Sequence, residues 1–174
     1  MTMPTIAFDP LFPGVTAPSR GTTGSAGYDL SAQLTGRRVR VWSGPVMQER
    51  PSELRDGTAV LILAPGEKAL VPLGFKARLP KGYEAQIRPR SGTSVKTDLV
   101  IANAPGTVDA DYPDEWCVPV KNGGGSPLII THGDRIAQMI LARFETLEFV
   151  TGTVEQTTDR AGGFGSTGHG TVGR

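Results

Sequence analysis

Several kinds of site are ruled out because the residues for them are scarce. The 174 residues include one cysteine, Cys117, so neither an intrachain disulfide nor a cysteine-rich zinc site is available. A lone cysteine of this kind behaves as a small buried hydrophobe. Histidine occurs only at His132 and His169, too rarely for a histidine-based metal cluster. No apolar run approaches the roughly 18 residues of a membrane span, so no membrane partner is expected. The first stretch, "MTMPTIAFDPLFPG", lacks both the basic start and the apolar centre of a signal peptide. Lys and Arg number 18 against 17 Asp and Glu, a net charge of +1. The basic excess behind non-specific nucleic-acid binding is missing, and no nucleic-acid partner is expected. The expectation is a soluble protein of a reducing, cytoplasmic compartment.

Glycine and proline, by contrast, are plentiful, at 23 and 14 residues. Together they make about a fifth of the chain, below the roughly 25–30% of low-complexity disorder. The length suits one domain with one core. Short strand-like runs recur: "TIAF", "RVRVW", "AVLIL", "ALVP", "FKARL", "YEAQI", "WCVPV" and "LIIT". The breaks between them carry turn chemistry, as in "PG", "KG", "NGGG" and "HGD". Strands do not alternate with long helices, which disfavours a parallel α/β sheet. The expected fold is all-β, an antiparallel jelly roll or barrel. In "DRIAQMILARF" (134–144), Ile136, Gln138, Ile140, Ala142 and Phe144 alternate onto one face, so this segment is expected to be a strand. "SGTSVKTD" (91–98) is expected to form the one short helix, with Ser91 as its N-cap. The span 36–58, charge-rich and broken by proline, reads as an inserted loop or hairpin. The β domain is expected to cover 1–159. The glycine-rich stretch 160–174 is either a frayed terminus or an arm that orders over an anion.

Polar residues beside glycines concentrate in five places: "GSAGYDLSA" (24–32), "PRSGTSVK" (89–96), "NAPGTVDADY" (103–112), "GDRIAQMI" (133–140) and "RAGGFGSTG" (160–168). Singly, each is an ordinary turn or surface loop. Together and in this order, they resemble the five motifs of the trimeric dUTPase family, over most of residues 24–168. The resemblance implies an all-β jelly roll, or β-clip, that assembles as a homotrimer with shared active sites. It implies Mg²⁺-dependent hydrolysis of dUTP to dUMP and pyrophosphate, which removes dUTP and supplies dUMP for thymidylate synthesis.

By this resemblance, Asp109 is the general base that takes a proton from the water attacking the α-phosphorus. Tyr112 packs under the deoxyribose and leaves no room for a 2′-hydroxyl. Asn103, with the backbone of Gly106, Thr107 and Val108, holds the uracil edge. Arg90, Ser91 and Gly92 meet the phosphates. Asp29 and Gln138 touch the waters of a Mg²⁺ carried mainly by the phosphates. The fifth motif closes over the nucleotide. Phe164 stacks on the base, Gly165 gives a close backbone approach, and Ser166, Thr167 and Arg160 meet the γ-phosphate.

The sequence departs from the family pattern in three of these motifs, one of them the second, where "GTSVK" replaces a more apolar pattern. One residue is missing between Arg160 and Phe164, and "YPDEW" stands where a glycine usually follows two residues after the tyrosine. Two alternatives share the scaffold. One is a dCTP deaminase, alone or combined with dUTPase activity, although Gly92 replaces the second serine of that pattern. The other is a regulatory binding protein.

Overall fold

The computed structural model describes residues 3–159. The arm assigned to 160–174, with Arg160, Phe164, Gly165, Ser166 and Thr167, lies outside the described residues. Among the described residues, fifteen strands and one short helix form, and every strand pairing is antiparallel. One five-stranded sheet runs β12 (Gly106–Val108), β10 (Tyr83–Arg88), β15 (Arg135–Arg143), β3 (Tyr28–Ser31), β2 (Ser19–Arg20). The other runs β11 (Leu99–Ile101), β13 (Cys117–Asn122), β8 (Lys68–Pro72), β4 (Arg38–Ser43), β5 (Val46–Pro51). A three-stranded sheet joins β14 (Leu128–Thr131), β7 (Thr58–Leu63) and β6 (Glu53–Arg55), while β1 (Ala7–Pro10) pairs with β9 (Phe75–Arg78). The fold is all-β, as the strand spacing implies.

Period-two patterning places the core. Val39 and Val41 of β4 are buried while Arg38 and Arg40 of the same strand face solvent. Ala85 and Ile87 of β10, Val118 and Val120 of β13, and Leu61 and Leu63 of β7 join them in one cluster around Trp116. Each fully buried aliphatic side chain stabilises the fold by about 1.5–3 kcal/mol. Cys117 is half-buried, and burial is the main cause that pushes its thiol up to about 11. It stays protonated at neutral pH and acts as packing.

Two local expectations change. The strand at 135–143 forms, but a bulge between Arg135 and Ala137 shifts its register. The extra residue places both Ile136 and Ala137 in the core, and Met139 follows on the Ala137 face. Gln138 therefore points away from the core, opposite to Ile136. The helix, α1, spans Ser91–Lys96, and its cap position is Arg90, with no side-chain capping bond. Ser91 is the first helical residue, not the N-cap. Arg90 keeps extended dihedrals while its side chain reaches 2.7 Å to Asp29, so the helix starts one residue earlier than expected.

Within the span 36–58, β4 and β5 form a hairpin closed by Gly44–Pro45, with Gly44 at φ +58°. This span does not stand off the body of the fold. β4 pairs with β8 as an interior strand and supplies Val39 and Val41 to the core. Glu67 latches the hairpin to the β7–β8 turn. Its carboxylate accepts two bonds from Arg50 (2.7 and 2.8 Å), one from the Ser43 hydroxyl (2.6 Å) and one from Ala64 N–H (2.8 Å). It is 6% exposed. The hydrogen bonds from Arg50 lead in holding the Glu67 carboxyl down to about 2, against the opposing effect of burial.

Because the folded value lies below the ordinary 4.5, this contribution is complete above about pH 4.5 and is lost as pH falls toward 2. Glu67→Gln is expected to cost about 3 kcal/mol at neutral pH by leaving the shielded Arg50 charge without its carboxylate. Thermal melts from pH 7 to 2 should show the wild type converging on the variant at the acid end.

Candidate functional site

The site begins with a row of residues level with one another across three strands. Arg88 of β10 pairs with Gln138 of β15, and Gln138 pairs with Asp29 of β3. Strand alternation then aims Asp29 and Gln138 to the same side of the sheet, while Leu30 and Met139 beside them are buried on the other.

Asp29 is gripped from two directions. Arg90 Nε donates to Oδ1 at 2.7 Å and Arg90 Nη2 to Oδ2 at 3.4 Å, while Arg135 Nη1 donates to Oδ2 at 3.0 Å. Gln138 Nε2 donates to Pro89 O at 2.8 Å, which holds the approach to the helix. A Cβ at Gly27 would fall on Gln138 Oε1, so glycine here lets the Gln138 amide keep its place. These groups wall a cleft of roughly 240 Å³, with Ser25, Ser91 and Gly92 on its rim. Two guanidiniums share one carboxylate, so the cleft carries a net positive charge suited to an anion. Arg135 is the functional residue that sequence reasoning left unassigned. It stands inside the quoted "GDRIAQMI" run, next to Asp134, and only the β3–β15 pairing reveals its partner.

Among the described residues, no group of three or more His, Cys, Asp or Glu could hold a metal ion. Asp29 is the one carboxylate in the cleft, and both its oxygens already accept from arginine. This donor set does not fit a Mg²⁺ ligated by protein. It fits a cation that arrives on a polyphosphate with its own waters, which Asp29 and Gln138 could meet only at the edge.

The third motif lies on the neighbouring strand. The β11–β12 connection turns through a cis Ala104–Pro105 bond. Gly106 is buried, and a Cβ there would strike the Asn103 amide, at 2.8 Å from Nδ2, so glycine lets Asn103 pack against the strand. Gly106 pairs with Ile87, next to Arg88 of the site row. Thr107 and Val108 continue toward the opposite end of β10, where Val108 meets Ala85. Asp109 therefore stands about 10 Å along the strand from Gly106, at about 3.3 Å per residue. Asp109 is exposed, and its carbonyl accepts from Tyr112 N–H at 3.2 Å. Tyr112 lies over a separate groove with Phe8, Ala77 and Pro113, and burial leads in raising its phenol pKa. One chain thus brings Asp29, Arg90, Ser91, Gly92 and Gln138 together, with Gly106 nearby, and leaves Asp109 and Tyr112 at the far end of β12.

The dUTPase family model matches residues 58–168. This chain belongs to the dUTPase family. Over 156 residues it is 43% identical to a deoxyuridine 5'-triphosphate nucleotidohydrolase of Rhizobium rhizogenes, covering 89% of this chain and 86% of that one. A protein of the same name from Beijerinckia indica is 40% identical over 158 residues, covering 90% and 86%. Among solved structures, a Staphylococcus bacteriophage 80alpha dUTPase variant with dUpNHpp matches with a TM-score of 0.72 at 23% identity, covering 94% of this chain and 98% of that one. A phage phi11 dUTPase variant, described with a structural Mg(II) ion, matches with a TM-score of 0.66 at 22% identity, covering 88% and 99%. These two likenesses establish the shared fold, an all-β dUTPase jelly roll with one short helix.

If the cleft worked by net charge alone, removing Asp29 would strengthen anion binding. The geometry implies the reverse, because Asp29 aims both guanidiniums. Asp29→Ala is expected to weaken triphosphate binding by about 100-fold, the scale of an ångström of misplacement. Titration calorimetry with a non-hydrolysable deoxynucleoside triphosphate checks it.

Proposed function

We propose that this protein hydrolyses dUTP to dUMP and pyrophosphate, with Mg²⁺ entering as the companion of the triphosphate. The observation that carries this reading is the row Asp29, Gln138 and Arg88, which with Arg90 just beyond Arg88 gathers three of the five motifs at one cationic cleft beside the Gly106 turn. Family membership gives that cleft its substrate. Arg90, Ser91 and Gly92 meet the phosphates, and Arg135 adds a second guanidinium. Asn103 and the backbone of Gly106, Thr107 and Val108 read the uracil edge, where donor–acceptor mismatch excludes cytosine. Tyr112 packs under the sugar and leaves no room for a 2′-hydroxyl.

Asp109 acts as general base, taking a proton from the water that attacks the α-phosphorus. Fixed positive charge stabilises the departing pyrophosphate. Mg²⁺ carried on the phosphates would neutralise part of their charge. Asp29 and Gln138 steady its outer waters without ligating it. Hydrolysis of this kind removes dUTP and supplies dUMP for thymidylate synthesis in the cytoplasm.

The assembly is a homotrimer with shared sites. Its support is the distance of Asp109 from the Asp29–Arg90 cleft along β12 in a single chain, which a second copy would make up. Residues 144–159 also run without helix or strand and expose Leu147, Phe149 and Val150, with Phe149 98% exposed. Apolar groups left in water on such a segment favour association with another copy. The stretch 160–174 supplies the closing motif. Phe164 lies on the base, Gly165 gives the close approach, and Ser166, Thr167 and Arg160 meet the γ-phosphate.

Pyrophosphate release measured with Mg²⁺ on dUTP, dCTP, dTTP and UTP should be confined to dUTP. Ammonia released from dCTP would favour the deaminase reading instead. Asp109→Asn should retain dUTP binding while kcat falls by about 100- to 10,000-fold, the range of a lost general base. Removal of residues 160–174 should slow turnover severely and leave the oligomer, followed by light scattering, unchanged.

A further inference from the structure

The loop between β12 and β13 carries both Asp109 and Tyr112, and its anchorage lies outside the five motifs. Inside the loop, Tyr112 N–H closes a turn on Asp109 O. Pro113 follows, which fixes its own φ and confines Tyr112 before it. The next tie is Glu115. Arg37 Nη1 donates to its Oε1 at 3.0 Å and Arg37 Nη2 to its Oε2 at 2.7 Å, a two-pronged ion pair. Both side chains are about four-fifths shielded, at 19% and 20% exposure, so salt screens the pair poorly. The Arg37 guanidinium also lies 4.7 Å from the centre of the Phe12 ring, which limits its freedom on the other face.

The same carboxylate holds what Tyr112 rests on. Gly74 N–H donates to Glu115 Oε1 at 2.9 Å, immediately before β9. Gly74 takes φ +79°, and a Cβ there would meet Gln33 and Val15, so this turn has one geometry. Ala77 of β9 and Phe8 of β1, its partner strand, wall the groove under Tyr112 and Pro113. Trp116 N–H then donates to Phe75 O at 3.0 Å, which carries the loop into the core. Glu115 thus fixes the loop that bears the ring and the strand beneath it. Two residues separate it from Tyr112, and one of them is a rigid proline. This is also where the chain departs from the family pattern after its tyrosine, with Pro113–Asp114 in place of a glycine turn.

We propose that the Arg37–Glu115 ion pair is a positioning clamp that sets the height of the Tyr112 ring against the sugar and so tightens rejection of ribonucleotides. The proposal rests on the placement of Tyr112 under the deoxyribose given above. Arg37 thereby gives the span 36–58 a part in substrate selection.

Steady-state kinetics on dUTP and UTP test it in Glu115→Gln, Arg37→Gln and the double variant. The ratio of kcat/KM for UTP to that for dUTP should rise about tenfold in each, the lower end of what one packing contact discriminates. The loss on dUTP should appear mainly in KM, and the double variant should be no worse than either single one. An unchanged ratio beside a lowered Tm would mean that the pair holds only the fold, and the proposal fails. If Glu115→Gln does not fold, Arg37→Lys decides, since it keeps the charge and loses the fork. Unchanged discrimination in that folded variant also overturns the clamp. Wild-type protein that leaves dUTP intact overturns the parent reading, and that result is visible before any variant is made.

Discussion

In β3 and β15, Asp29 and Gln138 are neighbours across the sheet, and Leu30, Ala137 and Met139 beside them are core. Strand side chains repeat every second residue, so this register serves two tasks. It buries Leu30, Ala137 and Met139, and it turns Asp29 and Gln138 outward toward Arg90. A slip of one residue would bury a carboxylate and expose the aliphatic row, at a cost no marginal fold could carry. The hydrophobic core therefore sets the cleft's geometry, and the chemistry of the cleft does not have to. The bulge before Ala137 is what makes the two demands compatible, because it absorbs the mismatch between Arg135 and the strand beyond it.

Ion pairs in this molecule differ in what they do, and shielding distinguishes them. Arg38–Glu49 lies in solvent on the hairpin, where a pair is worth about 0–1 kcal/mol. Arg50–Glu67 and Arg37–Glu115 are shielded, and each ties distant segments through additional bonds to backbone N–H groups. The pair of arginines on Asp29 is a third kind, because Arg135 remains largely exposed. Two donors on one acceptor leave uncompensated positive charge facing outward, an arrangement suited to receiving an anion from solvent. The polar interactions thus divide into those that hold the scaffold and those that leave donor capacity free.

On the proposed plan, a single chain presents an incomplete catalytic arrangement. The phosphate-facing groups lie where β10, β15 and β3 line up, and the carboxylate assigned as base lies beyond the other end of β12. The sheet is rigid, so no rotamer change closes a gap of about 10 Å along a strand. Catalysis on the proposed plan is therefore coupled to self-association. The exposed apolar stretch around Phe149 fits the same conclusion.

Much of this was legible along the chain. The alternation in "RVRVW" and "YEAQI" marked strands, the glycines and prolines marked their ends, and five polar-glycine runs in order pointed to the family. These are local signals, set by backbone sterics and by the period of side-chain burial, and a sequence carries them openly. Other features depended on which segments meet. Local propensity could not show that α1 begins at Ser91 because Arg90 is drawn to Asp29, or that β4 is an interior strand. Nor could it show that Ile136 and Ala137 are both buried, that Arg135 shares Asp29, or that Glu115 meets Arg37 across 78 residues. The sequence by itself determined the strand pattern and the chemical inventory of the site. Tertiary structure decided the partners, because a charged side chain is assigned by whichever opposite charge long-range strand pairing brings within about 3 Å.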